Sequence, residues 1–152
     1  MEKENKNSKK DENAKETAKQ IVINAENAIL GRLASYAAKQ ALLGKNIIIL
    51  NSEKSIILGN KKDILEKFAQ KRRRHGSSQK GPIYDAVPEK MMKRTIRGML
   101  SRDKSRGNAA LNRIRAYNKI PSGYSNVEAI SAGREKNAKY LSLGEIAKLI
   151  RK

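Results

Sequence analysis

Residues 89–119, EKMMKRTIRGMLSRDKSRGNAALNRIRAYNK, carry ten Lys or Arg against two acids, Glu89 and Asp103. Side chains of that type at that density neutralise anions, and the spacing says how. Pro88 suits the first position of a helix, where its missing N–H costs nothing. In a helix begun there, Lys90, Arg94 and Arg97 recur at i, i+4, i+7 on one face, and Met92, Ile96, Met99 and Leu100 fall on another. Such a helix packs its apolar side on a core and turns its basic side to polyphosphate, with Gly98 allowing a partner backbone to come close. Lys93 adds to the charge. The surplus runs on through Arg102, Lys104 and Arg106 to the loop glycine Gly107, then into Arg113 and Arg115. A solvated basic face is the common fate of charge runs. The continuation past a single helix favours an anion-binding surface instead.

A second cluster, Arg72-Arg73-Arg74-His75-Gly76, precedes a loop through residues 77–82, and Lys80 lies beside its Gly81-Pro82 turn. Arginine forks pair bidentately with phosphate and stack on exposed bases. His75, following four cations, suits a phosphate or ribose contact better than catalysis. Residues 61–119 hold eighteen basic and five acidic side chains, so this part carries +13 of the chain's net +19. Nucleic acid is the first partner that such a balance implies, and an anionic membrane surface the second.

Other chemistries find little support. There is no cysteine and one histidine, which removes thiolate chemistry and histidine-rich metal sites. Neither a glycine-rich dinucleotide loop nor a Walker-type Gly-Lys-Ser/Thr occurs. Glu53, Asp63 and Asp85 show no spacing for acid–base work, and Asp63 reads as a helix cap. No catalytic residue, metal, cofactor or small-molecule substrate is expected. Arg32 follows Gly31 inside a helical pattern, where close packing on a sheet explains the glycine and Arg32 either snorkels or touches RNA. With 4% aromatics, no Trp and one Phe, the chain suits phosphate and folded RNA shape rather than splayed bases.

The elements that must position these cations follow from hydrophobic pattern. Residues 1–19 lack any aliphatic β-branched residue, Leu or aromatic, hold six Lys and five acids, and are expected to be a disordered tail. Residues 20–152 are expected to form one domain. Residues 21–24 read as a buried strand. Asn27 then stands as an N-cap before a stripe of Leu30, Leu33, Ala34, Ala37 and Ala41, with Gly44 as the stop. Residues 46–51, NIIILN, read as a strand covered on both faces, completing a βαβ unit. Residues 55–58 read as a further strand, and Ile64, Leu65 and Phe68 as the inward side of the next helix. Another short helical stretch follows Asn108. Residues 125–137 lack pattern and read as a loop, residues 139–142 as a strand end, and residues 143–150 as a closing helix. No apolar run approaches the roughly 18 residues of a membrane span and no signal segment opens the chain, so a cytosolic protein without a membrane partner is expected.

These residues carry a resemblance. Ile23-Asn24-Ala25-Glu26, Leu30-Gly31-Arg32-Leu33-Ala34-Ser35, Ile49-Leu50-Asn51-Ser52-Glu53 and above all Lys93-Arg94-Thr95-Ile96-Arg97-Gly98-Met99-Leu100, with the later Arg106-Gly107, resemble the large-subunit ribosomal protein family numbered thirteen, in its archaeal and eukaryotic branch. The resemblance spans residues 21–150. It implies a three-layer α/β/α fold with a mainly parallel four-stranded sheet and a basic helical and loop extension. It also implies a non-enzymatic, structural role on large-subunit ribosomal RNA among neighbouring ribosomal proteins, with Arg94, Arg97, Lys104 and Arg106 facing RNA. A regulatory RNA-binding protein outside the ribosome and, further off, an RNA-processing enzyme are the alternatives. Two departures stand out: Ser101 replaces the family's proline after Gly-Met-Leu, leaving that exit geometry open, and the tail before Gln20 is long.

Overall fold

The computed structural model describes residues 20–73, 84–101, 103–125, 127–133 and 138–151. The tail of residues 1–19, the loop of residues 77–82, and Arg74, His75, Lys80 and Arg102 therefore lie outside the described residues.

Two β-branched runs make the centre of the sheet. Strand β1 (Gln20–Asn24) and strand β2 (Asn46–Leu50) run parallel, in register from Gln20 opposite Asn46 to Asn24 opposite Leu50. In chain order the remaining strands are β3 (Ile56–Leu58), β4 (Ile114–Ala116), β5 (Ile130–Ser131) and β6 (Tyr140–Ser142). β4 adds in parallel beside β2, and β5 in parallel beside β1, giving the order β4-β2-β1-β5. β3 and β6 form a separate antiparallel ribbon. The α/β class and the parallel four-stranded sheet agree with expectation. β5 does not: residues 125–137 read as a loop because a two-residue edge strand with Ile130 51% exposed leaves no apolar run to detect.

Strand alternation splits the core in two. Ile23, Ile47, Ile49 and Ile114 face the helices, while Val22, Ile48 and Leu50 face the other way and are covered by Tyr117 and Tyr124. The second covering layer is thus the segment after β4, with its 3-10 turn Ser122–Tyr124, rather than a long helix among the described residues. This follows from topology. The chain moves one way across the sheet from β1 through β2 to β4 and must return past both to reach β5, and a right-handed return lies on the opposite face.

Helix α1 (Leu30–Leu42) buries Leu30, Leu33, Ala34, Ala37, Ala38 and Ala41. It ends as expected at Gly44, whose φ is +90°. The Gly44 N–H donates to Ala41 O and the Lys45 N–H to Gln40 O, the two bonds of a Schellman motif. Its start differs from expectation. Asn27 is left-handed, with φ 55°, and its N–H donates to Lys54 O; this ties Asn27 to the next segment, so the N-cap is Ile29, which makes no side-chain cap bond. Gly31 is also corrected: it is exposed, and a Cβ there would meet nothing within 4 Å.

The remaining helices are α2 (Lys61–Arg73), α3 (Pro88–Gly98), α4 (Ser105–Asn112) and α5 (Leu143–Arg151). No helix among the described residues is long and apolar enough to cross a membrane. Gly107 lies inside α4 rather than in a loop, and α4 begins before Asn108. A Cβ on Gly107 would overlap the Ser101 carbonyl, so the close approach expected at Gly98, where a Cβ would meet open space, occurs here within the chain. The turn left open by the missing proline is closed by that approach and by Lys104 N–H donating to Ser101 O at 3.4 Å. Met99 is 44% exposed, because α3 stops at Gly98 and the next residue no longer follows the buried stripe.

Ile96, fully buried on α3, should lose about 2–5 kcal/mol of stability on replacement by Ala. Gly107→Ala should cost about 1–3 kcal/mol, because backbone rather than a flexible side chain blocks the new methyl. Chemical denaturation of the three proteins measures both.

Candidate nucleic-acid interface

Helix α3 is fixed at its start and along its inner side. Val87 is the N-cap, Pro88 follows it as expected, and the Glu89 N–H donates to the Asn118 side-chain oxygen at 3.1 Å, so a residue beyond β4 satisfies one orphan donor. Pro88, Met91, Met92 and Ile96 are buried, followed by Leu100. Anchoring that side leaves Lys90, Lys93 and Arg97 exposed and Arg94 half-buried. These four cations, with Asp85 and Leu111, line an open concavity of about 300 Å³. Lys90 Nζ lies 3.1 Å from Asp85 Oδ2, both side chains being about half exposed. An exposed pair of this kind contributes no more than about 1 kcal/mol, so an incoming phosphate can compete for the lysine. Four cations thus stand against one carboxylate in one concavity.

The scarce aromatics tie this helix to its neighbour. Phe68 on α2 meets Tyr84 edge to face, with ring centroids 5.8 Å apart and planes at 67°. Lys71 Nζ lies 5.2 Å from the Phe68 centroid, and the Arg94 guanidinium 4.6 Å from the Tyr84 centroid. The order cation, ring, ring, cation joins Lys71, just before the Arg72–Arg74 run, to Arg94 in the middle of α3. Burial raises the Tyr84 phenol above its ordinary value of 10.0, against the opposing pull of Arg94.

Not every expected cation faces outward. Arg72 Nη1 donates to Ile150 O at 2.6 Å, and Arg113 Nη1 to Ala41 O at 3.4 Å. Each guanidinium therefore sits at the carbonyl end of a helix, α5 and α1 respectively, where the helix dipole favours positive charge. Arg73, Lys104 and Arg106 are exposed. Arg115 is exposed too, but it lies opposite Ile48, on the face away from α3. With Arg113 it lines a separate hollow of about 220 Å³ near the first residues of β1 and β2. Arg32 is exposed on α1 with Tyr36 and Lys39 at i+4 and i+7. The latter two escaped the sequence reading, although their spacing repeats that of Lys90, Arg94 and Arg97.

The segments around Asn24 and Asn51 are structural. Asn24 Oδ1 accepts from the Glu26 N–H at 3.1 Å and from Asn51 Nδ2 at 3.0 Å, with Asn51 held left-handed at φ 55°. Lys54 Nζ is 2.8 Å from Glu26 Oε1, and that bond raises the lysine's pKa. In open parallel sheets, ligands favour the crevice beyond the strand ends where chain order reverses, here between β1 and β5. In this chain the Ala132 N–H donates to Asn24 O at 3.3 Å, and Gly133 lies so close to the Glu26 carbonyl that a Cβ would overlap it. The chain's own backbone therefore fills this crevice at Ala132 and Gly133.

The fold and its cationic helix define a small basic protein of the parallel α/β class with a preformed cationic surface. Residues 18–122 match the family described as Ribosomal protein L13. Named relatives are large ribosomal subunit protein uL13 of Methanococcus maripaludis, 40% identical over 133 residues that cover 86% of this chain and 96% of the relative; that of Picrophilus torridus, 41% identical over 133 residues with the same coverages of 86% and 96%; and that of Archaeoglobus fulgidus, 38% identical over 135 residues covering 85% and 86%. The chain belongs to the ribosomal protein L13 family.

The inward arginines and the outward ones should separate on substitution. Arg72→Gln and Arg113→Gln should each lower stability by about 1–2 kcal/mol through loss of a charged donor at a helix end. Arg97→Gln, exposed on α3, should stay within about 0.5 kcal/mol of the parent. Thermal unfolding at neutral pH compares them.

Proposed function

We propose that this chain is a structural constituent of the large ribosomal subunit, where it binds and clamps ribosomal RNA during assembly, in the cytoplasm and beside other large-subunit proteins. As a member of a ribosomal protein family it is a structural component and not an enzyme. The observation that carries the RNA reading is the convergence of Lys90, Lys93, Arg94 and Arg97 on one concavity of a helix whose other side is anchored in the core. Such a helix presents charge without paying ordering entropy at the moment of binding. Lys104 and Arg106 extend the cationic surface, and Arg32, Arg73 and Arg115 reach other parts of the same RNA. Arg74, His75, Lys80 and Arg102 complete it in this reading, while Arg72 and Arg113 act by holding helix ends. Residues 20–152 work as one domain, and residues 1–19, whose charges nearly cancel, stay outside the RNA surface.

Binding to large-subunit RNA should weaken steeply with salt, by roughly a thousandfold or more between 50 and 200 mM if some 6–10 phosphates are neutralised. The double substitution Lys93→Gln with Arg97→Gln should weaken binding and lower the log–log salt slope by about 2, with stability nearly unchanged. Filter binding across a salt series gives both quantities. A flat salt response in the parent protein would contradict the clamp.

A further inference from the structure

Beside the closed crevice between β1 and β5 lies an open groove of about 370 Å³, lined by Ile23, Ile29, Leu33, Ile130, Ala132, Tyr36 and Arg32. Its location follows from topology: α1 covers β1 and β2, and among the described residues no helix covers the edge strand β5. The groove thus has an apolar floor and two polar side chains, the Tyr36 ring, 41% exposed, and the exposed Arg32 guanidinium, one helical turn apart on α1. Next to Arg32, Gly31 leaves open space where a side chain would stand.

We propose that this groove takes one unstacked nucleobase of bound RNA, with the base against Tyr36 and the aliphatic floor and an adjoining phosphate on Arg32. The inference rests on the RNA-binding reading and adds, at a site away from α3, one unstacked base to a surface that the scarcity of aromatics otherwise commits to phosphate and folded RNA shape. Three features favour a base over an apolar protein side chain. An exposed ring at the mouth offers a stacking surface that any base can use. The charge at the mouth is positive, as an attached phosphate requires, and Gly31 lets a sugar–phosphate backbone pass close to the helix. By contrast, the second apolar groove, about 400 Å³ between α1 and the end of α3, is lined by Ser35, Ala38, Leu42, Leu43, Met99 and the cations Lys39 and Arg106. It has no ring and offers nothing for a base to stack on.

Two measurements test this on the full chain. First, adenosine 5′-monophosphate is titrated into methyl-labelled protein, with inorganic phosphate in parallel. The nucleotide should shift the methyls of Ile29, Leu33 and Ile130, and phosphate alone should leave them in place. Nucleotide shifts confined to other methyls, or equal shifts with phosphate, overturn the proposal. Second, affinity for large-subunit RNA is compared for Tyr36→Ala, Tyr36→Phe and the parent. Loss of one stacked base should weaken the Ala variant roughly tenfold, and the Phe variant should keep parental affinity within about twofold. Unchanged RNA affinity in Tyr36→Ala overturns the proposal, and if subunit incorporation falls at the same time the groove belongs to a protein neighbour. Failure of the parent to bind RNA at all would instead overturn the ribosomal RNA reading, so the two failures are distinct.

Discussion

Like charges set the central constraint on this protein. Ten cations within residues 89–119 repel one another, and an isolated segment of that composition would not hold a helix against the repulsion. Burial of Met91, Met92, Ile96 and Leu100 supplies the opposing force. A fully buried side chain of this size contributes about 1.5–3 kcal/mol, several times the value of an exposed ion pair. Packing therefore decides where the charges stand. The sheet, α1 and the Asn118 cap serve to hold α3 in that position.

The same economy appears in the arginines. A guanidinium is always charged and carries several donors in a rigid fork, which suits phosphate and backbone carbonyls alike. Arg72 and Arg113 use it on the last turns of α5 and α1, and Arg151 donates to Ala86 O at 3.2 Å, just before α3. Arg94 covers the Tyr84 ring while lining the cationic concavity. Part of the positive charge thus fastens the elements that present the rest. The Phe68–Tyr84 contact has a similar double use: two of the few aromatics link α2 to α3.

Much of this was legible in the sequence because it is local. The Leu30, Leu33, Ala34, Ala37, Ala41 stripe, the Gly44 stop and the NIIIL strand all follow from periodicity, and Pro88 marks the start of α3. The two-sided division of α3 was legible for the same reason. What escaped depends on distant partners. β5 is two residues long and exists because Ile23 and Asn24 offer an edge. Asn27 lost its cap to a bond with Lys54, a φ of 55° being tolerable for Asn but invisible in the pattern. That Arg72 and Arg113 turn inward requires knowing that helix ends lie beside them. Arg115 looked equivalent to Arg97, and only the pairing of β4 with β2 puts it on the other face.

On the proposed reading RNA lies along α3 and the start of α4 and leaves the β3–β6 ribbon uncontacted. The chain has no cysteine, so single cysteines can carry a tethered iron chelate that cleaves RNA nearby. Met99→Cys, at the exposed end of α3, should direct strong, localised cleavage of large-subunit RNA in reconstituted subunits. Tyr140→Cys, exposed on the ribbon, should direct little. Equal cleavage from both positions, or cleavage from Tyr140→Cys alone, would contradict the account.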